Sequence, residues 1–136
     1  MLLGKITAQE LYRKYPAFAE NGARYQPDPK IVERLARLDG EMTIVMFLGT
    51  WCGDSVREAP KLLSLIENAD NPAISLVMFA VDSSLDDGEG VAHQYAIERV
   101  PTMVFLRDNR EEGRLVEPAD GTMEKDLLRI LDLAGH

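Results

Sequence analysis

Two continuous apolar runs dominate the chain. Met42 to Leu48 is nearly all apolar, and so is Ile74 to Val81. Runs of this kind suit strands buried on both faces of a parallel sheet. Between them, Ala59, Leu62, Leu63 and Ile66 recur at helical spacing, which predicts a helix from about Val56 to Asn68, broken by Asn71-Pro72. A short helix is expected around Val91 to Tyr95. Thr102 to Leu106 reads as a third strand, Arg107-Asp108-Asn109 as a turn, and Gly113 to Glu117 as a fourth strand completing a hairpin. Met123, Leu127, Leu128, Ile130 and Leu131 form the stripe of a closing helix from Gly121 to Ala134.

Upstream, Thr7-Ala8-Gln9-Glu10 has the spacing of a capping box and predicts a helix from about Ala8 to Tyr15. Ala17 to Gln26 shows no clear period. Asp28-Pro29 reads as an N-cap with proline in the first turn, followed by the stripe Ile31, Val32, Leu35 and Leu38, and Gly40 ends that helix. The order of elements from residue 41 is strand, helix, strand, helix, strand, strand, helix. It predicts an α/β fold with a central mixed sheet covered by helices on both faces. Residues 1–136 read as a single domain, with 1–40 as an N-terminal helical extension and 41–134 as its core.

Composition narrows the function classes. A chain of 136 residues is long enough for one well-buried core. Its net charge of −8 argues against nonspecific nucleic-acid binding and against anionic membranes. Met1-Leu2-Leu3 is too short for the apolar region of a signal peptide, and no stretch reaches transmembrane length, so the expected location is cytoplasmic. Asp82, Asp86 and Asp87 lack the spacing of a cation-binding loop, as do Glu111 and Glu112, and no metal is expected.

The chemistry concentrates at Thr50-Trp51-Cys52-Gly53-Asp54-Ser55, where the first apolar run hands over to the helix. Cys52 is the only cysteine. The first N–H groups of a helix lack internal partners, and the helix dipole places partial positive charge there. A thiolate in that position is stabilised and reactive at neutral pH. Asp54 suits a helix N-terminus in its own right, but beside Cys52 it competes for the same positive end.

These residues resemble the thioredoxin superfamily. Trp51-Cys52-Gly53 matches the start of that family's W-C-G-P-C motif, with Asp54 in place of the proline and Ser55 in place of the second cysteine. Pro60, five residues after Ser55, matches the proline of the family's active-site helix. Val100-Pro101-Thr102 before Met103-Val104-Phe105-Leu106 matches its cis-proline before a strand. The resemblance covers roughly Glu41 to Ala134 and implies a thioredoxin-like fold. It also implies that Trp51 shields the sulfur, that Pro101 is cis, and that Val100 offers its backbone to an extended substrate. Gly53 and Asp54 complete the groove. The family often carries a buried aspartate and a lysine beneath the site, and here those positions are Met46 and Met78.

With Ser55 in the second position, no cysteine in the chain can resolve a mixed disulfide. The Ser55 hydroxyl is expected to hydrogen-bond the Cys52 sulfur from one helical turn away. Three readings follow. The first is a monothiol oxidoreductase acting on protein or glutathione disulfides. It has no bound cofactor and uses glutathione or another external thiol as co-substrate. The second is a binding module that keeps the fold and groove without redox turnover. The third is a glutathione-dependent or cluster-binding protein, for which Arg57 and Arg99 are the nearest cations. His93 reads as a solvated surface residue.

Overall fold

The structure is a computed structural model and describes residues 1–118 and 121–134. In chain order its elements are β1 (Gly4–Ile6), α1 (Ala8–Lys14), α2 (Pro16–Arg24), α3 (Pro29–Ala36), β2 (Met42–Leu48), α4 (Gly53–Ala69), β3 (Ile74–Ala80), α5 (Val91–Gln94), β4 (Thr102–Arg107), β5 (Arg110–Val116) and α6 (Met123–Ala134). The expected capping box is formed: Thr7 Oγ1 accepts from Glu10 N–H, and Glu10 reaches back to Thr7 N–H, each at 3.1 Å. Asp28 caps α3 through Lys30 N–H, with Pro29 in its first turn.

The five strands lie in the order β1-β3-β2-β4-β5. Only β2 and β3 run parallel, and the other pairs are antiparallel. The expected mixed sheet is therefore present, with the continuous apolar runs as its two inner parallel strands. The β4–β5 connection is a two-residue turn in which Asp108 (φ 53) and Asn109 (φ 62) are both left-handed, as a hairpin with native twist requires. That tight turn starts β5 at Arg110, three residues before the sequence pattern places it. Arg110-Glu111-Glu112 is charged and shows no strand pattern in the sequence, yet an edge strand accepts such residues.

Helices lie on both faces, unequally. On one face Leu11, Phe18, Ile31 and Leu35 from α1–α3 join Leu62 and Leu65 of α4 and Leu127 and Leu131 of α6, over Ile44, Met46, Met78 and Phe105 of the sheet. On the other, Ala92 of α5 and the segment through Ile97 and Val100 cover Val45, Phe47 and Val104. Phe47 stacks on Phe79 there, with ring centroids 5.6 Å apart.

Two N-terminal elements differ from the sequence reading. β1 extends the sheet by pairing antiparallel with β3, and at three residues it is too short to show a period. The stretch without a clear period, Ala17 to Gln26, is mostly α2. It buries Phe18 alone among its residues, so it leaves no stripe in the sequence. α3 ends at Ala36, before Gly40. Residues 1–40 thus supply a strand to the sheet and several side chains to the same core as residues 41–134. Tyr25 ties them further, donating from its hydroxyl to Glu124 Oε2 of α6 at 2.8 Å. Burial, and then that carboxylate, raise the Tyr25 phenol well above the usual tyrosine range.

Candidate functional site

Leu48 ends β2, and four residues later Cys52 is the N-cap of α4 (φ −96, ψ 120). Cys52 N–H donates to Gly49 O at 3.0 Å, closing the turn, and Val56 N–H donates to Cys52 O at 3.0 Å, opening the helix. The first-turn N–H groups therefore face the N-cap residue without helical partners. The half-buried Cys52 Sγ donates to Val100 O at 3.4 Å. The Val100–Pro101 peptide bond is cis. Its loop is braced on both sides: Glu117 N–H donates to Pro101 O at 3.1 Å, and Thr102 Oγ1 donates to Arg99 O at 2.7 Å. The Cys52 sulfur thus meets the carbonyl just before Pro101, 48 residues away in the chain.

Ser55 is fully buried, and its hydroxyl is not where the sequence reading puts it. Ser55 Oγ accepts from Gly49 N–H at 3.1 Å. Among the described residues no hydrogen bond joins it to the Cys52 sulfur, whose partner is Val100. The bond to Gly49 has a local cause. The end of β2 leaves the Gly49 N–H inside the protein, and a buried donor needs an acceptor. Ser55 thus staples the strand end to the helix start and fixes the turn that carries Cys52.

Trp51 is 46% exposed, and its indole N–H donates to Val81 O at 2.9 Å. The ring lies across Gly49: a Cβ at that position would sit 2.6 Å from Trp51 Cε2 and 2.8 Å from Nε1. Gly49 is thus required by the indole's position. We expect Gly49→Ala to displace Trp51 and break its bond to Val81. Trp51 is the only tryptophan, so the change is read directly as a shift in emission maximum and stronger quenching by iodide. An unchanged spectrum refutes this placement of the indole.

Asp54 is not left to oppose the thiolate. Its Oδ1 pairs with the Arg57 guanidinium one turn along. The Asp54 hydrogen bond raises Arg57 above the ordinary arginine range, with smaller contributions from Glu58 and Cys52. The Asp54 charge is offset at short range, and a cation stands within electrostatic reach of the sulfur. Arg99, the other cation considered for a glutathione carboxylate, is exposed and makes no ion pair among the described residues. His93 is exposed on α5.

Beneath the site three methionines stand abreast. Met46 of β2 pairs with Met78 of β3 on one side and Met103 of β4 on the other. All three are buried, at 0%, 3% and 0% exposure. The sheet is therefore apolar at the positions where the resemblance to the family points to a carboxylate and a lysine, Met46 and Met78. The acidic loop serves itself: Asp82 Oδ1 accepts from Ser84 and Asp86 N–H, and Asp87 Oδ1 from Ala92 N–H. Among the described residues no group of three or more His, Cys, Asp or Glu side chains is placed to hold a metal ion.

The sequence reading misses Gly49 and Val81, which seat Trp51. A glycine just before a tryptophan turn is a weak signal, and a backbone acceptor on another strand leaves none.

The chain is similar to known proteins in sequence and in fold. The family model described as Thioredoxin matches residues 31–131. The chain is 30% identical over 105 residues to a thioredoxin H-type from Populus jackii, covering 77% of this chain and 70% of that protein. It is 28% identical over 92 residues to the thioredoxin of Chlamydia caviae, covering 67% and 80%. Among solved structures, Fasciola hepatica thioredoxin superposes with a TM-score of 0.50 at 25% identity, covering 74% of this chain and 88% of that one. A Pseudomonas aeruginosa protein of unknown function superposes with a TM-score of 0.66 at 18% identity, covering 97% of this chain and 86% of that one. At that identity the likeness concerns the fold alone, and its coverage takes in the N-terminal strand and helices.

Proposed function

This chain belongs to the thioredoxin family, whose chemistry is thiol redox exchange with protein partners, and on that premise we propose that it is a monothiol thiol–disulfide oxidoreductase. The observation that carries the proposal is Cys52 at the N-cap of a long helix, its sulfur against the carbonyl of Val100, with a buried serine at the second motif position. The Cys52 thiolate attacks one sulfur of a substrate disulfide. The Cys52–substrate S–S bond forms, the substrate S–S bond breaks, and the other half leaves as a thiolate. Ser55 carries no sulfur, so the second step uses an external thiol, glutathione or another small thiol. Its thiolate attacks the mixed disulfide on the substrate sulfur, forms a new disulfide with that half, and releases the Cys52 thiolate. A reducing compartment such as the cytoplasm supplies that thiol. Trp51, Gly53 and Asp54 on one side and Val100 and Pro101 on the other form the groove for the substrate.

The test is intact-mass measurement after incubation with oxidised glutathione. The expected result is one glutathionyl group per chain that persists after the excess oxidant is removed. It should disappear on adding a small thiol and should be absent in Cys52→Ala. An unmodified parent protein, under conditions that modify an ordinary exposed thiol, rejects the proposal. The second reading, a binding module without turnover, has one specific observation in its favour: the methionine floor provides no buried proton carrier at positions 46, 78 and 103. A mixed disulfide that forms but is never released by external thiols favours that reading.

A further inference from the structure

Pro60 lies inside α4 and has no N–H, so the carbonyl four residues back, that of Val56, loses its helical partner. A side chain from the N-terminal segment replaces it. Asn21 Nδ2, on α2, donates to Val56 O at 2.9 Å. On the other side of the same residue, Val56 N–H donates to Cys52 O at 3.0 Å. Asn21 therefore stands two hydrogen bonds from the backbone of the reactive cysteine. The next residue, Gly22, packs against Pro60 itself: a Cβ there would sit 3.6 Å from Pro60 Cβ, an ordinary contact distance.

We propose that Asn21 is a positioning residue for Cys52: it supplies the hydrogen bond that Pro60 removes and holds the first turn of α4, whose free N–H groups stabilise the thiolate. The N-terminal segment is then part of the reactive site and not only a cover for the sheet. The proposal rests on Cys52 being the reacting group, but not on any disulfide being turned over. Asn21 and Pro60 form one device. A helix with an ordinary residue at position 60 satisfies Val56 O by itself and has no use for Asn21.

Asn21→Leu keeps the size of the side chain and removes the donor. The second-order rate constant for Cys52 alkylation by iodoacetamide at pH 7 should fall about fivefold, the equivalent of one net hydrogen bond. Exchange of the Val56 amide proton should accelerate about as much, while amides in the second half of α4, at Leu62 to Leu65, keep their protection. Adding Pro60→Ala should cancel both effects, because alanine returns an N–H to Val56 O. Unchanged alkylation and Val56 exchange overturn the proposal. So does equal acceleration along the whole of α4, which marks a general loss of stability. If Asn21→Leu alone does not fold, the double variant carries the test. It should fold and be alkylated at the rate of Pro60→Ala alone, and a slower rate or failure to fold overturns the proposal. Alkylation reads thiol reactivity without a disulfide step, so a parent protein that fails to form a mixed disulfide still reports on Asn21.

Discussion

Ser55→Cys is expected to give a protein that closes an intramolecular disulfide with Cys52 on mild oxidation and gains disulfide reductase activity. The new thiol sits one helical turn from Cys52, the spacing at which the family's two cysteines pair. The change leaves size nearly constant in a fully buried position. It also replaces a good acceptor by a poor one for the Gly49 N–H. The stability cost should be about 1 kcal/mol, that of one weakened buried hydrogen bond. Loss of free thiol without a change in oligomeric state measures the disulfide. Insulin precipitation with dithiothreitol measures the activity, which should exceed that of the parent. The gain should be modest, because Met46, Met78 and Met103 give no buried group to carry the proton between the two sulfurs. A variant that folds and forms the disulfide but shows no gain places the limit in the groove or the apolar floor. The non-turnover reading then moves ahead.

Phe18→Ala should be among the most damaging single changes in the protein, although Phe18 lies in the N-terminal segment. Phe18 is fully buried and belongs to the same cluster as Leu62, Leu65 and Met46. Truncating a buried phenylalanine removes its transfer free energy and leaves a cavity, at a cost of about 3–5 kcal/mol. Whole domains are stable by only about 5–15 kcal/mol. Denaturant unfolding should show one transition, its midpoint lowered strongly and its slope unchanged. The exposed neighbour Glu20→Ala should shift stability by less than about 0.5 kcal/mol. Two separate transitions, or a midpoint barely moved by Phe18→Ala, would mean that residues 1–40 fold apart from the sheet. Loss of Phe18 should also slow Cys52 alkylation at temperatures where the protein remains folded, since α2 carries Asn21.

Periodicity and punctuation reveal the fold from residue 41 onward. β2 is a continuous apolar run because both its faces are buried, whereas β3, equally apolar in sequence, is fully buried only at Met78 and Ala80 and half-buried along most of its length. The helices have stripes, caps and prolines at their ends. The same signals fail where an element buries little: β1 contributes three residues, and α2 buries one large side chain. β5 opens with charges that an edge strand tolerates.

The candidate site divides along a similar line. Cys52 at the head of a helix, the serine at the second position, and the methionines in place of a carboxylate and a lysine are all legible in the sequence. Each depends on a residue's own identity and its distance along the chain. The contact of the Cys52 sulfur with Val100, and of Trp51 with Val81, required the folded chain. So did the capture of Ser55 by Gly49, which runs against the expected bond to the sulfur. Asn21 shows the limit most clearly. Pro60 announces from the sequence that one carbonyl in α4 needs a donor. The sequence does not say that the donor comes from residue 21, because a hydrogen bond depends on angstroms in space and the chain records only order. What this sequence determined by itself was the set of needs: apolar faces to bury, a helix end to cap, a thiol with no partner sulfur. Which side chain met each need was decided only when the sheet and helices brought distant residues within hydrogen-bonding distance.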